Sequence, residues 1–294
     1  MTLLRDRDLA HAFDHASRTY DRLTGLNPGY RADLLRSARR LRLPGDGAGL
    51  HLLDLGCGTG ASTRALLRAA PRARITAVDA SAGMLRRALA KPWPDSVRFL
   101  HLSAEELTTA GERPALSAEE LTTAGEGPSL SAEELTTAGE RPALSAEELT
   151  TAGEGPALSA EELTTVGEGS FDAVFAAYLF RNVSDPDAVL ATVRTLLRPG
   201  GRLAVHEYSL GGSPAHRALW TAVCQGVVIP AGTLTGDRAL YRHLWHSVLD
   251  FDTAAAFTGR LTRAGFTGAR ALPLAGWQTG ITHTFVATEG KAAR

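Results

Sequence analysis

The sequence predicts an α/β fold in which a parallel sheet is covered by helices on both faces. Three observations carry this prediction. Short apolar segments typical of buried strands alternate with segments of helical period. A glycine-rich turn at residues 56–60 follows the first apolar segment, and an acidic residue, Asp79, ends the second. Such an arrangement is typical of an open sheet that binds its ligand at the carboxyl ends of its strands.

The elements follow in order along the chain. Residues 8–43 read as helical with a break at 27–29, and residues 1–45 are predicted to form an N-terminal helical cap. Strands are predicted at 51–55, 74–78, 97–102, 171–177, 202–207, around 269–274 and around 281–288, and helices at 61–70, 81–90, 185–197 and 251–264. The predicted sheet domain therefore comprises residues 46–101 and 170–294.

A 14-residue unit, LSAEELTTAGEGPA, recurs between residues 102 and 169, with copies that begin at residues 102, 116, 130, 144 and 158. Without four of these units, 238 residues remain, the size of one α/β domain with a modest cap. Each unit opens with a capping box, such as Ser103 with Glu106, but it carries only two leucines to bury. We expect a mobile or weakly helical insert; a stacked solenoid or partner-binding arm is the alternative.

Charge divides the chain in the same way. The repeats hold 15 Glu and two Arg, whereas the remainder holds 29 basic and 17 acidic residues, although the whole chain carries a net charge of −1. A basic body favours anionic partners such as a phosphate-bearing ligand or an acidic membrane surface. Scattered arginines are also typical of an ordinary solvated surface. We expect no nucleic-acid partner, and the oligomeric state is not indicated.

Composition excludes several classes of protein. Cys57 and Cys224 provide neither a disulfide framework nor a metal-ligand cluster, so no metal site is predicted. Charged residues stand at positions 5–8, where a signal peptide needs apolar residues, and no apolar segment is long enough to span a membrane. We expect a cytoplasmic protein that is at most peripheral to a membrane.

The turn in LDLGCGTG, residues 53–60, allows backbone N–H groups to approach a ligand without obstruction by side chains. Asp79 lies 19 residues after Gly60, where a carboxylate can accept both hydroxyls of a ribose. The pair predicts a cofactor that contains a nucleoside. Residues 56–61 also satisfy G-x-G-x-x-A, so a nicotinamide oxidoreductase is an alternative, as is a tight turn without a ligand.

LDLGCGTG closely resembles motif I of class I S-adenosylmethionine methyltransferases, and the RPGG sequence at 198–201 resembles the turn that follows a helix in those enzymes. The resemblance implies a Rossmann-like class I methyltransferase sheet with S-adenosyl-L-methionine as cofactor. A carboxylate at Asp54 would orient backbone donors of the loop or meet the methionine ammonium group. The predicted cofactor-binding residues in and near the loop are Asp54, Gly56, Gly58, Thr59, Gly60 and Asp79.

A closer resemblance covers nearly the whole chain outside the repeats. It rests on Phe13-Asp14, Tyr20-Asp21, FRNV at 180–183, GGRLAVHEYS at 200–209 and the stretch from Val228 to Phe266. These segments look like the ubiquinone/menaquinone C-methyltransferase family, UbiE/MenG. The family resemblance implies methylation of a ring carbon in a prenylated quinol such as demethylmenaquinol.

The same resemblance places Thr59 and Asp79 against the cofactor and Ser103-Ala104 beside its adenine, where the family usually has Asn-Ala. Because the repeats duplicate this pair, Ser159-Ala160 is a rival. Chain connectivity favours the first copy, which directly follows a predicted strand.

Departures from the family pattern occur in the predicted cap, at Leu23-Thr24 and Tyr30-Arg31. They leave a specialised-metabolite methyltransferase with a small phenolic acceptor as the main alternative. An acidic interaction module built on this fold is a further hypothesis.

Arg181 and Asn182 are the predicted catalytic residues. Arg181 stays protonated, so it would stabilise a developing phenolate or orient a water molecule, and Asn182 would hydrogen bond the same oxygen. The rival interpretation is a cap and a surface salt bridge at the helix that begins near Asp185. Tyr20 is a candidate for the acceptor pocket, His206 and His283 are candidate bases, and His243 with His246 is expected at a surface or pocket wall.

Overall fold

The computed structural model describes residues 4, 6–25, 27–108, 169–210, 212–276 and 278–290. Its strands are β1 (His51–Leu55), β2 (Arg74–Asp79), β3 (Val97–His101), β4 (Phe171–Ala177), β5 (Leu197–Tyr208), β6 (Phe266–Pro273) and β7 (Thr282–Glu289). Its α-helices are α1 (Asp6–Gly25), α2 (Tyr30–Arg39), α3 (Ala61–Ala69), α4 (Ala82–Leu89), α5 (Pro186–Leu196), α6 (Pro214–Val223), α7 (Ile229–Leu234), α8 (Arg238–Asp250) and α9 (Ala254–Arg263).

The described strands form one sheet in the order β3-β2-β1-β4-β5-β7-β6. Strands β1 to β5 are parallel, and β7 runs antiparallel between β5 and β6. The order reverses between β1 and β4, and in open α/β sheets the ligand crevice lies outside the carboxyl ends of the strands at that reversal. The predicted α/β class is confirmed.

Helices cover both faces of the sheet. On one face, Leu34 of α2 and Leu66 of α3 share a buried cluster with Phe175 of β4. On the other face, Phe257 of α9 packs against Phe285 of β7, with ring centroids 4.8 Å apart. Successive strand residues point to opposite faces, so a central sheet needs the continuous apolar runs that the sequence shows.

The predicted turn at residues 198–201 lies within the bounds of β5, where it interrupts the pairing with β4. Strand β5 begins at Leu197, which pairs with Phe171, and the register shifts before Ala173 pairs with Arg202. Gly200, with a φ of 79°, lies in this irregular stretch. A bulge thus absorbs the Arg-Pro-Gly-Gly segment within the strand.

Helix α1 crosses the N-terminus of α4 at close range. A Cβ atom on Gly83 would lie 2.9 Å from the Cα atom of Asp14, and Asp14 accepts a hydrogen bond of 2.7 Å from the backbone N–H of Gly83. The absence of a side chain at position 83 allows the two helices to approach this closely. The N-terminal helix therefore contacts the loop that follows β2, where Asp14 accepts a hydrogen bond from Ser81.

Residues 214–250 form helices that the sequence patterns did not delimit. Helix α6 continues through a π-helical turn, Cys224–Val228, into α7. Trp220, Cys224, Val248 and Ile281 share a buried cluster in this part of the chain. The ends of these helices were not predicted, because short connected helices with partly exposed apolar residues show no clear helical period of apolar positions.

The start of the repeat segment retains its predicted local bonds. Ser103 Oγ accepts a hydrogen bond of 3.0 Å from the Glu106 backbone N–H, and Glu106 accepts one of 2.8 Å from the Ser103 backbone N–H. This capping box leads into a 3₁₀ turn, Glu106–Thr108. The prediction for the later copies, and for Ser159-Ala160, falls outside the described residues.

Candidate active site

The glycine loop between β1 and α3 is built by its backbone. The N–H groups of Gly56 and Cys57 both donate to the carbonyl of Val78, each at 2.9 Å, which ties the loop to the end of β2. At Gly58, with a φ of 55°, an added Cβ would meet nothing within 4 Å. At Gly60 it would lie 2.7 Å from the Trp93 ring. The loop is therefore packed against Trp93 at Gly60, whereas the space next to Gly58 is open.

Asp79, at the end of β2, is held beside this loop. Its carboxylate accepts hydrogen bonds from the backbone N–H groups of Gly58, at 2.7 Å, and Ser81, at 2.9 Å. Burial raises the pKa of Asp79, although both hydrogen bonds oppose the shift. The side chain remains partly exposed. A fixed, half-buried carboxylate with free lone pairs can accept hydroxyl groups from a ligand.

Asp54 lies behind the loop and is fully buried. One oxygen accepts hydrogen bonds from Ser62, at 2.8 Å, and Thr63, at 2.6 Å, in the first turn of α3. The other, Oδ1, has no hydrogen-bond partner among the described residues. Burial raises the pKa of Asp54 to about 7, against these two hydrogen bonds. The structure thus shows Asp54 orienting the start of α3.

Thr59 connects the loop to the N-terminal helix. Its hydroxyl donates to Asp21 at 2.5 Å, and its carbonyl accepts from Lys91 at 2.7 Å. Lys91 also pairs with Asp21 at 2.7 Å. Burial raises the pKa of Asp21, but hydrogen bonds from Lys91 and Thr59 outweigh it, so the pKa of this carboxyl is lowered.

Asp14 makes the second connection from α1. It accepts hydrogen bonds from the Ser81 hydroxyl at 2.5 Å and from the Gly83 backbone N–H. Both acids of the Phe13-Asp14 and Tyr20-Asp21 motifs therefore bind the loops that surround Asp79.

Ser103 and Ala104 follow β3 on the same edge of the sheet. The backbone N–H of Leu102 donates to the carbonyl of Asp79 at 3.1 Å, which fixes this segment beside the acid. Ala104 is buried, and the Ser103 hydroxyl is engaged in the capping box. The first copy thus lies at the carboxyl ends of the strands, while its contact with an adenine stays a prediction.

Arg181 forms a buried ion pair that the sequence did not indicate. It donates to Glu207 at 2.7 Å and to the Tyr178 carbonyl at 2.8 Å, and the two charged side chains are 6% and 0% exposed. Burial raises the pKa of Glu207, although the charge of Arg181 opposes the shift. The rival interpretation of Arg181 and Asn182 as a cap and a surface salt bridge is wrong, because the ion pair of Arg181 is buried and Asp185 caps helix α5.

Two polar atoms of the Arg181–Glu207 ion pair lack a hydrogen-bond partner within the described residues. Arg181 Nε and Glu207 Oε2 are buried and have no hydrogen-bond partner among the described residues. Buried polar atoms are nearly always paired in native proteins. The ion pair therefore retains one unpaired donor and one unpaired acceptor within the described part of the chain.

Tyrosines surround Arg181. Its guanidinium carbon lies 5.3 Å from the Tyr178 ring centroid and 5.6 Å from that of Tyr208, and the Tyr30 ring stacks on Tyr178 at 5.8 Å. Burial raises the pKa of Tyr20, and the charges of Arg181, Asp79, Asp21 and Glu207 all act on its hydroxyl. Tyr20 is therefore a partly buried tyrosine whose pKa responds to the charges of both Asp79 and Arg181.

Asn182 has both ends of its amide engaged. The Nδ2 atom donates to the Tyr178 carbonyl at 3.0 Å, and the Oδ1 atom lies 3.2 Å from His243 Nε2. His243 is 4% exposed, and its Nδ1 atom has no hydrogen-bond partner among the described residues. The direct role predicted for Asn182 toward an acceptor oxygen stays a prediction.

The candidate bases from the sequence differ in their surroundings. His206 uses both ring nitrogens, with Ser37 at 2.7 Å and Tyr178 at 2.8 Å, and burial lowers its pKa to about 3. His206 is therefore a poor candidate base. His283 is buried with Nδ1 unpartnered in the described part of the chain. In that same part, no three His, Cys, Asp or Glu side chains are placed to hold a metal ion.

Several functional candidates were missed from the sequence. Glu207 is the partner of Arg181, while the rings of Tyr178 and Tyr208 lie against the Arg181 guanidinium. The position of Glu207 could have indicated a functional role, because it stands near the carboxyl end of a predicted parallel strand, where ligand-binding sites form. His243 was expected at a surface or pocket wall and is buried instead, and no pattern in the sequence indicated its contact with Asn182, 61 residues away.

The loop and its neighbours fit a methionine-bearing nucleoside. The open front of Gly58 leaves room for a ligand against the backbone, and Asp79 presents a fixed acceptor for ribose hydroxyls. The residues that would hold the cofactor are thus those of the glycine loop, Asp79 and the segment after β3.

Comparisons with known proteins agree with this geometry. A family model described as a methyltransferase domain matches residues 29–270. The chain is 28% identical over 277 residues to the ubiquinone/menaquinone biosynthesis C-methyltransferase UbiE of Syntrophotalea carbinolica, which covers 92% of this chain and 90% of that relative. It is 34% identical over 98 residues to a demethylmenaquinone methyltransferase of Thermus thermophilus, covering 33% of this chain and 44% of that protein.

A solved SAM-dependent methyltransferase from Thermotoga maritima has the same fold, with a TM-score of 0.55 at 15% identity over 96% of this chain and 99% of that one. The predictions of a Rossmann-like class I methyltransferase fold, of methyltransferase activity and of S-adenosylmethionine as cofactor are confirmed by the family match and the fold. The chain belongs to the methyltransferase domain family and has the fold of its S-adenosylmethionine-dependent members.

Proposed function

We propose that this methyltransferase alkylates a ring carbon of a prenylated quinol of the demethylmenaquinol type. The observation that carries the proposal is the buried Arg181–Glu207 pair, which leaves Arg181 Nε and Glu207 Oε2 unpartnered among the described residues, inside a wall of tyrosines. A flat aromatic ring with hydroxyl groups complements these surfaces, since its faces stack on tyrosines and its hydroxyls meet the unpaired atoms. The similarity to UbiE over 90% of that relative supports the same acceptor class.

S-adenosylmethionine supplies an activated methyl group on a sulfonium. The chain's own residues have two tasks, alignment and charge stabilisation. The glycine loop and Asp79 hold the nucleoside end, and the charges of Asp79 and Arg181 both act on the pKa of the partly buried Tyr20. Arg181 stabilises negative charge that develops on a phenolic oxygen, and this charge makes the ring carbon electron-rich. Since Arg181 is only 6% exposed, that interaction is little weakened by water.

We infer a peripheral contact with a membrane as the route for a lipophilic acceptor. Leu219, Val227 and Leu234 are 46%, 61% and 90% exposed, and they lie in the helical segment that also supplies Trp220 to the aromatic wall through its contact with Tyr208. Among the described residues, none of the helices has the length and apolar character needed to cross a bilayer. Co-sedimentation with vesicles of anionic lipid, compared for the wild-type protein and Leu234→Ser, tests this contact; equal recovery of both would count against it.

A specialised-metabolite methyltransferase is the second candidate. Tyr30, one of the departures from the quinone family pattern, stacks on Tyr178, whose ring lies against Arg181. A different residue beside Arg181 favours an acceptor of different shape, such as a smaller phenol.

The experiment uses the full chain with methyl-labelled S-adenosylmethionine and reduced demethylmenaquinol, beside a panel of small phenols. The proposal expects label on a ring carbon of the quinol. Label on oxygen alone, or on none of the quinols, would overturn it, and preferential labelling of a small phenol would favour the second candidate. Asp187→Ala, which alters an exposed ion pair with Arg260, serves as a matched control.

A further inference from the structure

Tyr178, directly after β4, has an unusual backbone conformation. Its φ is 58°, in the left-handed region that a residue with a bulky side chain rarely adopts. Its backbone N–H donates to the His206 carbonyl at 2.8 Å. Residues in this region cost conformational free energy, and they cluster at functional sites, where the surrounding structure holds them in place. The contacts that hold Tyr178 therefore bear on what this residue does.

The carbonyl of Tyr178 binds both predicted catalytic side chains. It accepts hydrogen bonds from Arg181 Nη1, at 2.8 Å, and from Asn182 Nδ2, at 3.0 Å. The Tyr178 ring also lies 5.3 Å from the guanidinium carbon of Arg181. Because rotation about the backbone bonds of Tyr178 turns this carbonyl, the conformation of one residue determines where both side chains find their acceptor.

The Tyr178 hydroxyl ends a chain of four hydrogen bonds that begins at Arg40. Arg40 Nη1 donates to Thr284 Oγ1 at 2.8 Å, and Thr284 Oγ1 lies 2.6 Å from Ser37 Oγ. Ser37 Oγ lies 2.7 Å from His206 Nδ1, and His206 Nε2 lies 2.8 Å from the Tyr178 hydroxyl. The three intermediate residues are fully buried. Residues at the end of helix α2 are thus connected to the residue that follows β4.

The direction of this hydrogen-bond chain follows from its first donor. Arg40 can only donate, so Thr284 accepts from it and keeps its own proton for Ser37. The opposite direction would leave the buried proton of Thr284 without an acceptor in the described part of the protein. Ser37 then donates to His206 Nδ1. Burial lowers the pKa of His206 to about 3, so the neutral ring carries its hydrogen on Nε2 and donates to Tyr178.

Tyr178 thus accepts a hydrogen bond from His206 and keeps its own proton for another acceptor. Burial raises the pKa of Tyr208 to about 12, against the charge of Arg181 and a hydrogen bond from Tyr178. Both the oxygen and the proton of the Tyr178 hydroxyl therefore have partners. Together with the backbone N–H, these contacts fix Tyr178 at both ends and oppose relaxation of its φ angle.

We propose that Tyr178 is a positioning residue for methyl transfer: the hydrogen-bond chain from Arg40 holds its left-handed conformation, and its carbonyl orients Arg181 and Asn182. The inference rests on the proposed function, in which Arg181 stabilises charge on the acceptor. Tyr178 acts through Arg181 and needs no change of its own protonation state.

A simple bend in the backbone is the rival interpretation. A bend of this kind needs no hydroxyl group, since glycine adopts the left-handed region at no steric cost. The two interpretations therefore differ in what the hydroxyl contributes. Tyr178→Phe retains the ring and the backbone N–H and removes only the hydrogen bonds of the hydroxyl, so it separates them.

The first experiment reads the position of Arg181 in the full-length protein by NMR, from the ¹H–¹⁵N signal of its Nε–H group, assigned by its loss in Arg181→Lys. Tyr178→Phe should shift this signal. Ser37→Ala removes the donor to His206 Nδ1 and should shift it in the same direction, and this variant decides the matter if Tyr178→Phe does not fold. Tyr241→Phe is the matched control, because the buried Tyr241 hydroxyl has no hydrogen-bond partner among the described residues. An Arg181 signal that does not move, or that moves equally in Tyr241→Phe, overturns the inference.

The second experiment compares turnover with reduced demethylmenaquinol. A misplacement of about 1 Å can cost about 100-fold in rate, so Tyr178→Phe should lose at least about tenfold in kcat while its affinity for S-adenosylmethionine is unchanged. Ser37→Ala should lose less, and Tyr241→Phe should keep wild-type kcat. Wild-type kcat in Tyr178→Phe, or a loss matched by weaker cofactor binding, overturns the inference. If the wild-type protein methylates no quinol, the proposed function fails, and the Arg181 signal still decides whether Tyr178 positions Arg181.

Discussion

Asp21 of helix α1 accepts a hydrogen bond of 2.5 Å from the hydroxyl of Thr59 in the glycine loop. The N-terminal helix therefore fixes the conformation of the glycine loop, which is predicted to approach the cofactor. Lys91 completes the contact by binding both the Asp21 carboxylate and the Thr59 carbonyl, each at 2.7 Å.

Asp21→Asn should weaken this contact. The Asp21 and Lys91 side chains are 43% and 33% exposed, so we expect a loss of at most about 1 kcal/mol in the free energy of unfolding. Since the folded pKa of Asp21 is lowered, its contribution is fully present above the unfolded value of 3.8 and disappears as the pH falls through the folded value. Urea denaturation of both proteins over a pH series measures this; a difference that persists in strong acid would contradict it.

Asp79→Ala should weaken cofactor binding. The variant removes the acceptor for ribose hydroxyls and frees the N–H groups of Gly58 and Ser81. Loss of one charge-assisted hydrogen bond of about 1.5–3 kcal/mol lowers affinity by at least about tenfold. Isothermal titration with S-adenosylmethionine tests this, with Asp187→Ala as control. Equal affinity in Asp79→Ala would remove the assigned role of this acid.

Gly83→Ala should destabilise the fold. A Cβ atom there would lie 2.9 Å from Asp14 Cα and 3.0 Å from Asp14 O, both in the backbone, so α1 must move away from α4. Overpacking of this kind typically costs about 1–3 kcal/mol. Gly226→Ala is the matched control, since a Cβ there meets nothing within 4 Å. Thermal denaturation compares the two, and equal midpoints would contradict the expected crossing of the helices.

Arg181→Met and Glu207→Gln should each destabilise the protein, because each leaves a buried charged partner without its counterion. Removal of one partner of a buried pair costs about 3–5 kcal/mol. The double variant should lose less than the sum of the two single losses, since it leaves no buried charge behind. Urea denaturation of the four proteins gives the coupling energy. Strictly additive losses would mean that the pair makes no net interaction.

Asp54→Asn should change the pH dependence of stability. The folded pKa of Asp54, about 7, lies above the unfolded value of 3.8. Its stabilising contribution is therefore fully present below the unfolded value and is lost as the pH rises through about 7. The wild-type protein should lose stability relative to Asp54→Asn between these two pH values. Parallel unfolding free energies across that range would show that Asp54 titrates as in the unfolded chain.

Much of the fold was predictable because its signals are local. Apolar runs such as 51–55 and 171–177 identified strands, the glycines at 56–60 identified the ligand loop, and the acid at 79 ended the next strand. Each of these signals depends on residues that are near neighbours in sequence. The turn at 198–201 was predicted, but the start of β5 before it was not, because the pairing of Leu197 with Phe171 joins residues that are 26 positions apart.

The contacts around Arg181 and Asn182 were not predictable, because they join residues that are far apart in the sequence. Arg181 meets Glu207 across 26 residues, Tyr30 stacks on a ring 148 positions later in Tyr178, and His243 reaches Asn182 across 61. The periodicity of apolar residues along the sequence gives no indication of such long-range pairs. The sequence by itself determined the alternation of strands and helices and the glycine loop that is predicted to bind the cofactor, since backbone propensity and apolar period decide both. Only the tertiary structure decided which charges are buried together and which side chain His243 meets, because these contacts depend on how separate helices pack over the ends of the strands.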